Sequence, residues 1–185
     1  MKKFILNALL IVVAFGITGC GGSIYNYNVT PTPIQQGTSK YVINDISLEL
    51  THGHGHNINN KTFKTEDQLK KSFKIFLNKE LEKQSLLGNK NSYKLNIDIN
   101  YMRKYNYGGN ALNKPEFDYT VSVYNSNEKL LATFSIPRST TKYGYFKDMA
   151  VNLEIGIFKW DAEDEPQDIE LISKTLITEL SELGK

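Results

Sequence analysis

Apolar and polar residues alternate along several stretches of the chain, and this period of two predicts strands with one buried face. The first such stretch covers residues 41–50, where Ile46, Leu48 and Leu50 alternate with polar neighbours. A second begins at Tyr93 in the segment SYKLNIDINYMRKYNY. A hairpin with its turn at NSNE then follows, in which Phe117, Tyr119, Val121 and Val123 are succeeded by Leu130, Ala132, Phe134 and Ile136. A further strand is predicted from the in-phase residues Val151, Leu153, Ile155 and Ile157.

Two other stretches have the spacing of helices. The segment KTEDQLKKSFKIFLNKELEKQSLLG carries an apolar stripe at Leu69, Phe73, Phe76, Leu77 and Leu81. Thr65 and Gln68 form a capping box at its start. The acidic stretch DAEDEP introduces a last helix, with Pro166 near its first position. Its stripe consists of Ile169, Ile172, Leu176, Leu180 and Leu183.

These elements follow the order β-α-β-β-β-β-α. Strands with one apolar face favour a mainly antiparallel sheet, because such a sheet leaves its other face in water. Two amphipathic helices then cover the apolar face, which predicts an α+β fold with two layers. Residues 41–185 show no second linker and no repeat, so we expect them to form one domain.

The N-terminus carries a different signal. Met1-Lys2-Lys3 precedes the apolar run FILNALLIVVAFG, which is typical of a secretory signal and too short for a membrane span. The run ends at Ile17-Thr18-Gly19-Cys20, which resembles the lipobox of bacterial lipoproteins. That resemblance implies cleavage of the signal peptide, residues 1–19, and acylation of Cys20. Acyl chains would hold the protein on a membrane.

By the same resemblance, Gly21 favours the outer membrane, because an aspartate there retains enteric lipoproteins in the inner membrane. The folded part would then face the periplasm, and display on the cell surface is the alternative. Residues 20–40 are rich in glycine, serine, threonine and asparagine, so we expect a flexible tether. The element order together with the lipobox is similar to that of small outer-membrane lipoproteins of the YajG-like and lipid-transport auxiliary types.

Charge and sequence motifs limit the classes of function that we expect for the protein. The chain has 22 basic and 20 acidic residues, and the signal peptide holds two of the basic ones. The mature side chains are therefore balanced, which gives no reason to expect a nucleic-acid partner. No phosphate-binding glycine loop, nucleophile elbow or metalloprotease motif is present, so we do not expect an enzyme. The acidic residues from Asp161 to Glu165 lack the ligand pattern of a calcium loop and suit a helix start.

All three histidines lie in the segment THGHGHNINN. His52, His54 and His56 continue the phase of the buried positions of the first strand. If the strand persists, their imidazoles line up and the intervening glycines let them approach a zinc or copper ion. If the strand ends at Leu50, they belong to a polar loop. The glycines and asparagines around them favour the loop.

Tyrosine pairs provide the second candidate surface. Two of these pairs, Tyr105 with Tyr107 and Tyr143 with Tyr145, stand at predicted strand ends or loops and suit contact with a protein or a glycan. We therefore expect a lipid-anchored binding, accessory or assembly module with an envelope protein as its partner. The alternative is a metal-binding lipoprotein that uses the histidines.

Overall fold

A single mixed sheet forms the centre of the protein. The computed structural model of the chain describes residues 26–29 and 33–184. Within these residues five strands stand in the order β1-β5-β4-β3-β2. Their bounds are β1 Asn26–Val29, β2 Tyr41–His52, β3 Tyr93–Arg103, β4 Glu116–Tyr124 and β5 Leu130–Thr140.

Three helices accompany the sheet in the part of the chain that the structure describes: α1 Glu66–Lys83, α2 Tyr145–Gly156 and α3 Glu165–Ser181. Helix α1 connects β2 to β3, which lie side by side and run parallel, as a crossover connection allows. All other neighbouring strands are antiparallel. The α+β class and the mainly antiparallel sheet predicted from the sequence are therefore confirmed.

The main core lies between the sheet and helices α1 and α3. The inward residues of β3, including Leu95 and Ile97, are buried together with Leu69 and Phe73 of α1 and Ile172 of α3. The capping box at the start of α1 is present, with the Thr65 side chain accepting a hydrogen bond from the backbone of Gln68. Periodicity thus predicted which faces of β3, α1 and α3 are buried.

The segment predicted to be a flexible tether belongs in part to the folded domain. Strand β1 pairs with β5 along the edge of the sheet, from Asn26 opposite Ser135 onward. Ile34 is only 2% exposed and packs in the main core. Gly37 donates a backbone hydrogen bond to the carbonyl of Ser181. The predicted domain boundary at residue 41 is therefore wrong, because apolar burial and an open sheet edge draw in earlier residues.

The strand predicted from the residues between Val151 and Ile157 is also wrong, because most of this segment belongs to helix α2. A strand that follows β5 in the chain would pair most directly with the neighbouring edge of β5 itself. That edge is occupied by β1. Val151 instead packs in a second, smaller apolar cluster with Trp160 and Tyr105.

Candidate functional site

The predicted histidine and tyrosine site residues gather at one end of the sheet. At this end β2 and β3 finish, β4 begins at Glu116 and β5 finishes at Thr140. Three connections extend beyond these strand ends, residues 53–65, 104–115 and 141–164. We call these three connections together the tip. The second apolar cluster lies within the tip and consists of Phe63, Tyr105, Leu112, Val151 and Trp160.

A buried ion pair fixes the base of the tip. Arg103, the last residue of β3, donates from Nε to Oε1 of Glu165 at 2.6 Å and from Nη2 to Oε2 at 3.0 Å. The same Nη2 donates to the carbonyl of Lys64 at 2.9 Å. Tyr101 adds a longer hydrogen bond to Glu165 at 3.4 Å, and burial together with the negative charge of Glu165 raises the pKa of the Tyr101 hydroxyl. The pair therefore connects β3, the connection before α1 and the start of α3.

A second carboxylate, that of Asp168, organises the connection that contains α2. Thr141 and Tyr143 each donate a hydroxyl to its Oδ1 at 2.7 Å, and the indole of Trp160 donates to Oδ2 at 3.3 Å. Burial raises the pKa of the Asp168 carboxyl, and these three hydrogen bonds oppose that rise. Both ends of the connection are thereby attached to α3.

The histidines divide into a stacked pair and a separate residue. Strand β2 reaches His52, two residues beyond Leu50, and then gives way to a loop. The rings of His52 and His56 are parallel, with an interplanar angle of 5° and centroids 3.8 Å apart. Nδ1 of His52 lies 2.7 Å from the hydroxyl oxygen of Tyr105. Partial burial, followed by the neighbouring His56 and Arg103, lowers the pKa of His52.

This stack differs from a metal-binding arrangement. The lone pairs of imidazole lie in the ring plane, so two parallel rings direct them side by side rather than toward one ion. No group of three histidine, cysteine, aspartate or glutamate side chains among the described residues has an arrangement that could hold a metal. Metal binding by His52, His54 and His56 stays a prediction from the sequence.

The histidine loop is fixed to the loop that carries Tyr107. A β-carbon on Gly109 would lie 2.6 Å from the carbonyl oxygen of Gly55, and Gly109 has a φ of +70°. The amide of Asn60 donates to the carbonyl of Gly109 at 3.2 Å and to the side chain of Asn110 at 3.0 Å. Glycine at position 109 is therefore required both by its backbone conformation and by the close approach of the two loops.

In each tyrosine pair the first residue points inward and the second points outward. Tyr105 is only 6% exposed and Tyr143 is half-buried, with its hydroxyl on Asp168. Tyr107 is 92% exposed, and Tyr145 is also exposed. Tyr105 is therefore not available for the contact predicted for it, because it packs in the second apolar cluster. Tyr107 and Tyr145 keep that prediction.

A shallow polar groove lies beside these loops. It is bordered by amides from both loops and by carboxylates from the connection that follows α2. The amides both donate and accept hydrogen bonds, and the carboxylates accept them. The lining residues are Asn57, Asn59, Asn60, Thr62, Asn110, Asp161, Ala162 and Glu163.

Sequence reasoning missed the residues that hold the tip together. The sequence pattern places Arg103 near a strand end and Glu165 in the acidic stretch before a helix, where charge is ordinarily solvated, and it does not single out Asp168. Their burial follows from long-range packing of α3 on β3, and no local pattern reveals it. The outward position of Tyr107 was detectable, because the two glycines after it are typical of a tight turn.

Cys20 and the signal peptide lie outside the described residues, so the structure does not test the predicted lipidation. Among the described helices, none has the length and apolar character needed to cross a membrane.

Comparisons with known proteins give structural likeness only. No protein family matches the chain, and no curated protein sequence matches it either. A PelC dodecamer from Paraburkholderia phytofirmans is 14% identical, with 75% of this chain and 99% of that chain covered and a TM-score of 0.36. A Xanthomonas campestris protein of the DUF330 family is 14% identical, with 83% and 92% covered and a TM-score of 0.40. Rare lipoprotein B from Shewanella oneidensis is 9% identical, with 75% and 94% covered and a TM-score of 0.28. At these identities and TM-scores, the three structures identify neither a family nor a function for this chain.

Proposed function

We propose that the protein is a lipid-anchored accessory or assembly subunit of the bacterial envelope that acts by binding a protein partner. The lipobox ending at Cys20 supports the anchor, and Gly21 supports the outer membrane, with the domain facing the periplasm. Cell-surface display is the alternative orientation. No catalytic role and no nucleic-acid partner are part of this proposal.

The observation that supports binding is that two large apolar side chains are exposed on loops that contact each other. Tyr107 is 92% exposed and Ile58 is 80% exposed, on two loops that contact each other through Gly109 and Gly55. Large apolar side chains held outward on fixed loops lose little conformational entropy when a partner covers them. Tyrosine in particular combines an apolar ring with a hydrogen-bonding hydroxyl. The polar groove beside the loops supplies further hydrogen-bonding groups.

Site-specific crosslinking in living cells tests this surface. A photo-crosslinking amino acid replaces Tyr107 in the full lipidated chain, and the matched control replaces Asn127, which is exposed in the turn at the opposite end of the sheet. We expect one defined crosslinked protein from position 107 and none from position 127. In a separate affinity purification without the crosslinker, a Tyr107→Ser chain should retain several-fold less of that protein than the wild type does. Equal crosslinking from both positions, or none from position 107, would contradict the proposed surface.

Lipidation has its own test. Cells are grown with an alkyne analogue of palmitate, and the labelled protein is detected after purification. We expect label on the wild-type chain and none on a Cys20→Ser variant. An unlabelled wild-type chain would contradict the anchor.

Zinc or copper binding is a second candidate function, and one observation favours it: the rings of His52 and His56 are in contact, although three residues lie between them in the sequence. The stack would have to open for both rings to reach one ion. Calorimetric titration of the wild type and of a variant with His52, His54 and His56 changed to alanine tests the idea. We expect measurable binding by the wild type only, and indistinguishable weak binding by both would exclude this function.

A further inference from the structure

Helix α2 exposes an apolar face instead of burying one. Phe146, Met149, Leu153 and Ile157 follow one another at spacings of three and four residues and are all exposed, Phe146 at 84%. They form a single stripe along the helix and just past its end. Tyr145 and Phe158 extend the stripe at its two ends and are exposed as well. We call these six residues the α2 face.

The opposite side of the helix attaches it to the tip. Val151 is buried and Ile155 packs against the second apolar cluster. Asp148 accepts a hydrogen bond from Lys114 at 2.7 Å, and the amide of Asn106 donates to the carbonyl of Ile155 at 2.7 Å. The helix is therefore held by its other side, and no described residue covers the α2 face. A contiguous apolar surface of this kind is typical of an interaction site.

The direction of strand β1 shows which end of the domain lies nearest the anchor. Asn26 pairs with Ser135 and Val29 pairs with Ala132, so β1 enters the sheet from the side on which β5 finishes. Strand β5 finishes at Thr140, and α2 begins at Tyr145. The chain therefore joins the sheet from the end that carries the tip and the α2 face.

The length of chain outside the described residues sets the distance to the membrane. Cys20 precedes Asn26 by six residues. A fully extended chain spans at most about 3.6 Å per residue, so this connection covers no more than about 20 Å. If Cys20 carries the lipid, as the proposed function requires, the bilayer surface lies within that distance of the start of β1. The tip is the end of the domain that meets it.

The chemistry of the α2 face suits a lipid interface. Aromatic and aliphatic side chains on one side of a helix are typical of helices that lie in the plane of the membrane surface. Lys142, Lys147 and Lys159 lie beside this face in the sequence and are exposed, where they can contact phosphate headgroups. Helix α2 contains two acidic residues. Asp148 pairs with Lys114, whereas no ion pair is observed for Glu154 among the described residues.

We propose that the α2 face inserts into the interfacial region of the phospholipid bilayer that holds the Cys20 lipid. This inference rests on the proposed lipid anchor. It gives the domain a second, non-covalent attachment, which fixes the tip against the membrane surface.

Fluorescence of the lipidated full chain in vesicles tests the proposal. Leu153→Cys is labelled with a polarity-sensitive dye, and Asn127→Cys at the opposite end of the sheet is the matched control. The vesicles contain equal parts of phosphatidylethanolamine and phosphatidylglycerol, with and without a quencher attached to the acyl chains. We expect a blue-shifted, several-fold brighter dye at position 153 that the lipid quencher dims. The dye at position 127 should be unaffected.

Other outcomes are distinguishable. If mass spectrometry shows the acyl chains on Cys20 but the dye at position 153 is not quenched, the α2 proposal is wrong while the anchor stands. If Cys20 carries no acyl chain, the proposed function itself fails. A blue shift that needs no vesicles and weakens on dilution would assign the α2 face to a second copy of the chain and overturn membrane insertion. The emission of buried Trp160 reports in each case that the variant has folded.

Discussion

At the scale of single residues, the ion pair between Arg103 and Glu165 carries the largest energetic consequence. Both side chains are almost wholly buried, at 3% and 0% exposure. Besides each other, Arg103 contacts the carbonyl of Lys64, and Glu165 accepts a hydrogen bond from the hydroxyl of Tyr101. A buried pair of this kind contributes little net stability when intact, whereas the loss of one member leaves the other charge uncompensated in the core.

We therefore predict that Glu165→Gln lowers the free energy of unfolding by about 3–5 kcal/mol. The matched control is Glu163→Gln, which removes an exposed carboxylate two residues away and should change stability by less than about 0.5 kcal/mol. Urea denaturation monitored through Trp160 measures both. A double variant, Arg103→Met with Glu165→Leu, should recover most of the loss. Equal effects of the two glutamine variants would show that the pair is not buried.

His52 gives the tip a dependence on pH. Burial, His56 and Arg103 lower the pKa of His52 below its ordinary value of 6.5, so the folded chain disfavours its protonation. The stabilising contribution of the neutral ring is therefore present above that value and is lost as the pH falls through the folded pKa. We expect an NMR titration to show His52 with a midpoint below 6.5. In His56→Gln the midpoint should rise, because one of the three causes is removed. A midpoint at or above the ordinary value would contradict the stacked arrangement.

Among the helices and strands, α2 is the one whose type the local sequence pattern does not determine. Val151, Leu153, Ile155 and Ile157 alternate as in a strand, and Phe146, Met149, Leu153 and Ile157 have helical spacing within the same segment. Both periods fit, and β-branched residues favoured the strand. In the structure β1 pairs with the outer edge of β5, and Val151 and Ile155 pack instead in or against the second apolar cluster. In β3, α1 and α3 only one period fits, and there the prediction was confirmed.

The histidine loop and the loop that carries Tyr107 contact each other at Gly109. Gly108 and Gly109 both have positive φ values, of 85° and 70°, but only Gly109 has a backbone atom in its way. We expect Gly108→Ala to cost about 1–2 kcal/mol through backbone strain alone. Gly109→Ala should cost more and should displace the histidine loop, since the carbonyl of Gly55 must move. Chemical denaturation gives the stabilities, and NMR shifts of His52 and His56 report the displacement. Equal costs, with the histidine signals unmoved, would show that the loops do not touch.

At the scale of the whole molecule, the N-terminal segment completes the sheet and the core. Strand β1 covers the edge of β5, and Ile34 fills a place in the main core. An uncovered edge strand is prone to pair with other chains. The sequence of this segment does not reveal these contacts, because they depend on residues more than a hundred positions away.

We predict that a chain beginning at residue 26 folds stably and that a chain beginning at residue 41 does not. The shorter chain loses β1, the burial of Ile34 and the hydrogen bond from Gly37 to Ser181. It should unfold at a lower urea concentration and form aggregates as its concentration rises. Ile34→Ala in the longer chain separates the causes, because it should cost about 2–5 kcal/mol without uncovering β5. Equal stability of the two truncated chains would show that the domain begins at residue 41.

The pairing of β1 with β5 also sets the order of events during maturation. If the chain is exported, as the proposed function requires, Asn26 emerges from the export machinery long before Ser135, its partner in the sheet, since more than a hundred residues separate them. Until β5 has crossed, β1 has no strand to pair with, and the proposed acylation site at Cys20 stays accessible to processing enzymes. Once β5 is in place, β1 docks and the connection from Cys20 shortens to six residues. If Cys20 carries the lipid, completion of folding therefore draws the domain down onto the membrane, so that folding itself controls the distance between domain and bilayer.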